Sequence, residues 1–250
     1  MPTRLLALRL EYDGTAYAGW QRQEGQPSVQ EALEAAIGKI TGRRPAVIAA
    51  GRTDAGTHAA GQVVQFRTAS RLPTEKWITA LNANLPPDVS VSEAWEPPPG
   101  FHARFSAKSK TYTYTIWNAR GRSALLRDRV WQVPLPLNVA AMRRAARHLV
   151  GRHDFRAFAQ VHGVKERKST VRTLQSLTVK AEGPKVTVIA VGDGFLTHMV
   201  RIITGTLVEV GKGKRTAASV AGALKSRKRP EAGITAPARG LTLMHVDYGD

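Results

Sequence analysis

The sequence contains no cysteine among its 250 residues. This absence excludes disulfide bonds, a thiolate nucleophile and every zinc site that depends on cysteine ligands. It excludes the zinc-dependent base deaminases, whose metal is held partly by cysteine, and also enzymes that attack a pyrimidine ring through a thiolate. Any covalent chemistry that this chain performs must therefore use another side chain.

Long apolar stretches are missing as well. No run approaches the roughly 18 residues that a membrane-spanning helix needs, and the N-terminal residues lack the charged-then-apolar pattern of a signal peptide. We therefore predict a soluble, cytoplasmic protein with no membrane association.

Motifs for metals and nucleotides are absent too. There is no H-E-x-x-H pair, no calcium loop and no dinucleotide glycine pattern. The stretch from Gly205 to Lys212 fails the phosphate-loop pattern, both in its glycine spacing and in having Gly213 where serine or threonine belongs. His198 has no partner at metal-ligand spacing. We predict no metal and no organic cofactor.

Acidic residues are scarce in the second half of the chain. Residues 1–105 carry 11 Lys and Arg against 10 Asp and Glu, whereas residues 106–250 carry 26 against 9, which accounts for most of the formal net charge of +18. Such an excess requires an anionic partner, and nucleic acid is the commonest one, although ribosomal association or a membrane surface fits this charge equally well. We predict phosphate binding by the second half.

The order of hydrophobic patterns predicts an α+β protein with two halves, 1–105 and 106–250. Three consecutive prolines near the junction, Pro97 to Pro99, cannot continue a helix or an interior strand. Both halves contain alternating strand patterns and amphipathic helix patterns in a similar order, which suggests a pseudo-repeat. The predicted helices begin near Ser28, Thr74, Asn138, Phe195 and Arg215.

The segment Ala50 to His58, with the sequence AGRTDAGTH, concentrates reactive side chains between glycines. Gly51 and Gly56 allow a tight turn that exposes a side chain, and Asp54 is also a common turn residue. By pattern alone, a turn role for Asp54 is the commoner outcome. Arg52 and His58 favour a functional role, because a carboxylate beside RNA phosphates stays ionised more readily near a cation.

Tyr112 and Arg201 each permit two interpretations. Tyr112 and Tyr114 share one face of a predicted strand, where tyrosines usually pack in the core, but an aromatic ring beside cations can also stack on an unpaired base. The pattern leaves Tyr112 open and favours the core for Tyr114. Arg201 lies off the apolar stripe of its helix, so it is either solvated or directed into a cleft.

In combination, these motifs resemble the TruA-type tRNA pseudouridine synthases across essentially the whole chain. The segments that carry the resemblance follow in the family's order, and Gly51 to Gly56 is the most specific one. The full set is Glu11 to Thr15, Gly19 to Gln23, Ser28 to Gln30, Gly51 to Gly56, Gly61 to Val63, Leu81 to Pro86, Phe101 to Phe105, Lys110 to Tyr114, Asp154 to Phe155, His198 to Arg201 and Gly240 to Leu241. Thr57 stands where the family usually has valine, and Ile202 where asparagine is frequent.

The resemblance implies a catalytic role for Asp54 in the isomerisation of uridine to pseudouridine at tRNA positions 38, 39 and 40. It implies that Tyr112 lies against the target uracil, that Arg201 pairs with Asp54, and that Arg52 helps to displace the base from the stem. It further implies a homodimer that binds tRNA, and two related α/β-sandwich halves that share an extended, mostly antiparallel sheet with helices on one side.

Two other functions fit parts of the sequence. A non-catalytic basic RNA-binding or ribosome-assembly protein would use the same basic half, but it gives no reason for an acidic residue in the first-half loop. A ribonuclease would need paired histidines or clustered carboxylates, which the sequence does not display.

Overall fold

The computed structural model describes residues 3–160 and 169–249. The chain divides into two compact units. Unit 1 comprises Met1–Lys108 together with Thr242–Asp250, and unit 2 comprises Ser109–Leu241. The C-terminal strand thus belongs with the first unit. The assignment of catalysis to the first half and RNA binding to the second stays a prediction.

The described residues form strands and helices in this order along the chain. The strands are β1 (Arg4–Tyr12), β2 (Ile48–Ala49), β3 (His58–Thr68), β4 (Val89–Trp95), β5 (Ser109–Trp117), β6 (Trp131–Gln132), β7 (Gly151–Asp154), β8 (Val171–Glu182), β9 (Lys185–Gly192) and β10 (Leu241–Asp247). The α-helices are α1 (Val29–Thr41), α2 (Lys76–Asn82), α3 (Val139–Arg147), α4 (Met199–Gly211) and α5 (Ala217–Ser226). Short 3-10 helices occupy Arg156–Phe158, Arg229–Glu231 and Ala238–Gly240.

In unit 1 the central strand is β1, which pairs antiparallel with β3 on one side and with β4 on the other. β3 also pairs with β2 in antiparallel orientation and with β10 in parallel orientation. Leu6, Leu8 and Leu10 of β1 are wholly buried, as their alternation in the sequence predicts.

In unit 2 the strands β5, β9, β8 and β7 lie in that order and pair antiparallel, while the short β6 runs parallel to β5. α3 packs against β8, α4 and α5, and α4 also contacts β5. The predicted α+β class and the mostly antiparallel pairing are therefore confirmed within each unit.

Several helix ends follow the sequence. Ser28 caps α1 by accepting a hydrogen bond from the amide of Glu31 at 3.3 Å, and Gly42 ends that helix in the left-handed conformation. Asn138 caps α3 in the same way through the amide of Ala141. None of the helices within residues 3–160 and 169–249 has the length and apolar character of a membrane span.

The bounds of three predicted helices differ from those in the structure. α4 begins at Met199 and not near Phe195, because His198 has a left-handed backbone with φ of 60°. The basic helix α5 is shorter than predicted, since Thr216 caps its start and Arg227 ends it at φ of 59°. α2 begins at Lys76 with no side-chain cap, and Thr74 instead contacts Arg4 and Glu96.

Candidate active site

The loop that carries Asp54, residues 51–57, connects β2 to β3, which are antiparallel neighbours in unit 1. Asp54 is half-buried at its tip, and Gly56 follows with φ of 73°, a left-handed conformation that favours glycine. The amide of Thr57 donates to the carbonyl oxygen of Asp54 at 3.0 Å, which closes the turn. The prediction that this segment turns is therefore confirmed.

Two main-chain hydrogen bonds fix the loop on either side of Asp54. The amide of Trp20 donates to the carbonyl oxygen of Thr53 at 3.1 Å, and the amide of Gly56 donates to that of Tyr17 at 3.2 Å. Gly19 has φ of 102°, and a Cβ atom there would lie 2.7 Å from the carbonyl oxygen of Thr53. Glycine is needed at that position for both reasons.

A buried polar cluster supports the loop from the sheet. The hydroxyl groups of Tyr12 and Thr53 lie 2.8 Å apart, and the side-chain amide of Gln62 donates to the carbonyl oxygen of Gly51 at 2.7 Å. Burial raises the pKa of Tyr12 to about 12, although its hydrogen bonds with Thr53 and Gln62 partly oppose this rise. These contacts hold the residues before Asp54 in one arrangement.

His58, at the start of β3, fixes the neighbouring loop. Its Nδ1 atom lies 3.1 Å from the amide nitrogen of Gly14 and 3.1 Å from Oδ1 of Asp13. The buried imidazole therefore contacts the loop that contains Asp13 and Gly14 and holds it against the start of β3.

Arg52 is exposed on the same loop, two residues before Asp54. Its position fits a group that meets RNA from solvent.

In unit 2, Tyr112 and Tyr114 project to the same face of β5, where they pair in register with Ala190 and Val188 of β9. Tyr114 is wholly buried, which confirms its predicted place in the core. Tyr112 retains 7% exposure and meets Phe195 edge to face, with ring centroids 5.0 Å apart. Its ring is therefore held by packing at the margin of the core.

Arg201 lies in the first turn of α4 and is half-buried. Its Nε–H donates to the carbonyl oxygen of Ala236 at 2.8 Å, and the amide of Ala236 donates back to the carbonyl oxygen of Arg201 at 3.2 Å. A purely solvated arginine, the commoner expectation from the sequence, is thus excluded.

Comparison with known proteins identifies the family of this chain. The model of a family described as tRNA pseudouridine synthase matches residues 10–106 and 145–249. The chain belongs to the tRNA pseudouridine synthase family. Asp54, Arg52 and Arg201 lie inside the matched stretches, whereas Tyr112 lies between them.

Similar family members cover nearly the whole chain. Proteins named tRNA pseudouridine synthase A include one from Myxococcus xanthus at 48% identity, covering 98% of this chain and 92% of the relative. The relative from Moorella thermoacetica is 46% identical, covering 97% and 99%, and that from Acetivibrio thermocellus is 45% identical, covering 98% and 100%. The resemblance seen in the motifs is confirmed.

Sequence reasoning included Tyr12 and Gln62 in segments that resemble the family, but it gave them no part in supporting the Asp54 loop. Tyr12 and Gln62 are strand residues whose alternation indicates only burial, and their contact with the loop depends on the pairing of β1 with β3. The signal in the sequence was a glutamine among the apolar residues of a predicted strand. The structure shows that Gln62 has no exposed surface, so its polar atoms need partners inside the protein. Within the described residues, no group of three or more potential metal ligands clusters together.

Proposed function

We propose that this protein isomerises uridine to pseudouridine at positions 38, 39 and 40 of the tRNA anticodon stem-loop. The observation that carries the proposal is the near-full-length similarity to proteins named tRNA pseudouridine synthase A. The Asp54 loop, anchored on both sides of the carboxylate, supports it.

The proposed reaction breaks the N1–C1′ glycosidic bond, rotates the uracil and forms a C5–C1′ bond in its place, and the proton on C5 is then lost as N1 gains one. Nothing is oxidised and no group leaves. A carboxylate such as Asp54 can attack C1′, add to the uracil ring or remove the 2′ proton of the ribose. Each of these routes needs the ionised form of the carboxylate.

In this proposal the other predicted site residues bind the substrate and support the carboxylate. Arg201 supplies a positive charge to the catalytic carboxylate of Asp54. Tyr112 stacks on the detached uracil and keeps it in place while it rotates. Arg52 contacts the RNA as the base leaves the stem, a displacement that costs on the order of a few kcal/mol. Phosphate contacts from the basic second half offset that cost.

The deciding experiment incubates unmodified tRNA transcript with the wild-type protein, Asp54→Asn and Glu24→Gln, then maps pseudouridine by position. Glu24 is an exposed carboxylate of the same unit, so its variant controls for loss of one negative charge. We expect product with wild type and Glu24→Gln, and none with Asp54→Asn, which should still bind tRNA.

Other results would redirect the assignment. RNA binding without any change in nucleotide composition would support a non-catalytic RNA-binding or ribosome-assembly protein, and cleaved chains would indicate a ribonuclease. Product from Asp54→Asn equal to that from wild type would remove the role of the carboxylate.

The proposed assembly is a homodimer in which one tRNA touches both subunits, acting in the cytoplasm. Sedimentation of the protein alone and with tRNA tests the subunit count, and a monomer in both samples contradicts it.

A further inference from the structure

One face of α4 is covered by residues 231–237, which we call the strap. The strap starts at the last residue of the 3-10 helix Arg229–Glu231 and then continues as irregular chain. Arg201, Gly205 and Glu209 recur every four residues and therefore share this face of the helix. A Cβ atom on Gly205 would overlap the carbonyl group of Ile234. The strap thus lies directly on the helix backbone, at a distance that only glycine permits.

Hydrogen bonds hold the strap along this face. The amide of Gly233 donates to Oγ1 of Thr206 at 2.9 Å, and the amide of Ile234 donates to Oε1 of Glu209 at 3.2 Å. Both acceptors are side chains of α4, so the first part of the strap is fixed two turns away from Arg201.

Two arginines secure the same part from the other side. Arg229 donates to the carbonyl oxygen of Gly233 at 2.9 Å and to Oγ1 of Thr235 at 3.1 Å. Arg215 contacts Oε2 of Glu209 at 2.5 Å and donates to the carbonyl oxygen of Glu231 at 2.8 Å. The strap is therefore a rigid part of unit 2.

The strap meets Arg201 at its other end. Ala236 accepts from Nε of Arg201 and donates its amide to the carbonyl oxygen of the same residue. An arginine side chain has several rotatable bonds, and a planar guanidinium bound at Nε has its plane fixed by the acceptor. The Ala236 carbonyl group therefore restrains the orientation of this guanidinium.

The next carbonyl group of the strap is held by β5. The hydroxyl of Tyr114 donates to the carbonyl oxygen of Pro237 at 2.7 Å, while its ring packs against Gly240. Only φ and ψ of Pro237 separate this carbonyl from that of Ala236, and the proline ring locks φ, which is −53° here. Holding the Pro237 carbonyl group therefore leaves ψ of Pro237 as the main freedom of the Ala236 carbonyl group and restrains its position.

We propose that Tyr114 is a positioning residue that orients the guanidinium of Arg201 through the carbonyl groups of Pro237 and Ala236. This inference rests on the proposed function, in which Arg201 supplies a positive charge to the catalytic carboxylate. Tyr114 itself does not touch the substrate.

The kinetic test compares Tyr114→Phe with Tyr248→Phe. The hydroxyl of Tyr248 also donates to a main-chain carbonyl oxygen at 2.7 Å, that of Ala103 in unit 1, so each variant loses one matched hydrogen bond. We expect similar falls in Tm, about 2–4 °C. Only Tyr114→Phe should lower kcat, by roughly tenfold to a hundredfold, since misplacement by about 1 Å has costs of that order. KM for tRNA should stay within about twofold of wild type in both.

A double-mutant cycle tests whether the hydroxyl acts through Arg201. In the Arg201→Ala background, the further change Tyr114→Phe should leave kcat unchanged, because the group that it positions is already gone. Multiplied losses in the double variant, or equal kcat for Tyr114→Phe and Tyr248→Phe, would overturn the proposal.

A third measurement does not depend on activity. Nitrogen-15 NMR spectra report the Arg201 Nε–H signal, which is assigned by its absence in the Arg201→Lys variant. We expect this proton to exchange with water several-fold faster in Tyr114→Phe than in wild type or Tyr248→Phe. An unchanged rate contradicts the proposal whatever the enzyme does. If wild-type protein forms no pseudouridine, the proposed function fails, and this rate alone still decides whether Tyr114 orients Arg201.

Discussion

Tyr12 and Thr53 share a buried hydrogen bond, with 2.8 Å between their hydroxyl oxygens. Tyr12 is the last residue of β1 and Thr53 immediately precedes Asp54. The central strand of unit 1 thus reaches the residue next to the proposed catalytic carboxylate. A side chain that must react in one geometry gains from such support, because its loop does not have to be ordered again in each reaction cycle.

Tyr12→Phe should lower both stability and kcat. The change removes one hydroxyl and leaves that of Thr53 without its partner, at a cost of about 1–3 kcal/mol in the free energy of unfolding. We expect kcat to fall roughly tenfold as the loop loosens. Tyr17→Phe is the control, because it removes a hydrogen bond to Asp88 at 2.6 Å and leaves the Thr53 hydroxyl bonded. Urea unfolding measures the free energy of unfolding, and the tRNA assay measures kcat. Equal kcat in the two variants contradicts the prediction.

Gly19→Ala should destabilise the protein more than Gly25→Ala. Both glycines have positive φ, so both variants pay about 1–2 kcal/mol of backbone strain. At Gly19 the new Cβ also collides with the carbonyl oxygen of Thr53, whereas nothing lies within 4 Å at Gly25. Only the first variant should lose pseudouridine formation. Matching unfolding curves for the two variants would disprove the steric argument.

Thr57→Val should stabilise the protein. The hydroxyl of Thr57 is buried and has no hydrogen-bond partner among the residues that the structure describes. Replacement by the nearly isosteric valine, which the family usually has at this position, removes that unpaired group. The expected gain is about 1 kcal/mol in the free energy of unfolding, with unchanged kcat. A lower Tm in Thr57→Val would indicate that the hydroxyl is satisfied.

Substitutions at Tyr112 separate stacking from packing. Tyr112→Phe keeps the ring and its edge contact with Phe195, so most of kcat should remain. Tyr112→Leu keeps much of the volume but has no aromatic face, and should lose roughly tenfold or more in kcat if a base stacks there, since stacking contributes about 1–3 kcal/mol. Circular dichroism checks that both variants fold. Equal activity of the two would make Tyr112 a core residue only.

Alkaline pH should unfold the protein between about pH 10 and pH 12. Burial raises the pKa of Tyr12 from 10.0 to about 12, and it also raises those of Tyr17, Tyr114 and Tyr248. The unfolded chain loses these protons near pH 10 while the folded chain keeps them, so stability is intact below pH 10 and is lost as pH rises above it. The Tyr12 shift alone corresponds to about 2–3 kcal/mol.

Urea unfolding at pH 9, 10.5 and 11.5 measures this loss, with tyrosinate absorbance followed in parallel. The decline should be smaller in Tyr12→Phe. Ionisation of more than one of the five tyrosines near pH 10, in protein that is still folded, would contradict the prediction.

The sequence by itself determined several of the elements and the family. Alternation defined β1 and β5, because side chains on a strand point to opposite faces, and Ser28 and Asn138 marked helix starts, because their oxygens bond the first free amides. The order of its motifs was specific enough to place the chain in its family. These features depend on neighbours along the chain, so one sequence displays them.

Only the tertiary structure decided what holds the site residues in place. Tyr12 and Thr53 are 41 positions apart, and Arg201 and Ala236 are 35 apart, so no local pattern links them. The left-handed backbone conformation of His198, which directly precedes α4, was also not predicted, because non-glycine residues seldom adopt positive φ without tertiary support. Sequence patterns report which residues are buried, but the partner of a buried polar group depends on which strands and segments the fold brings together.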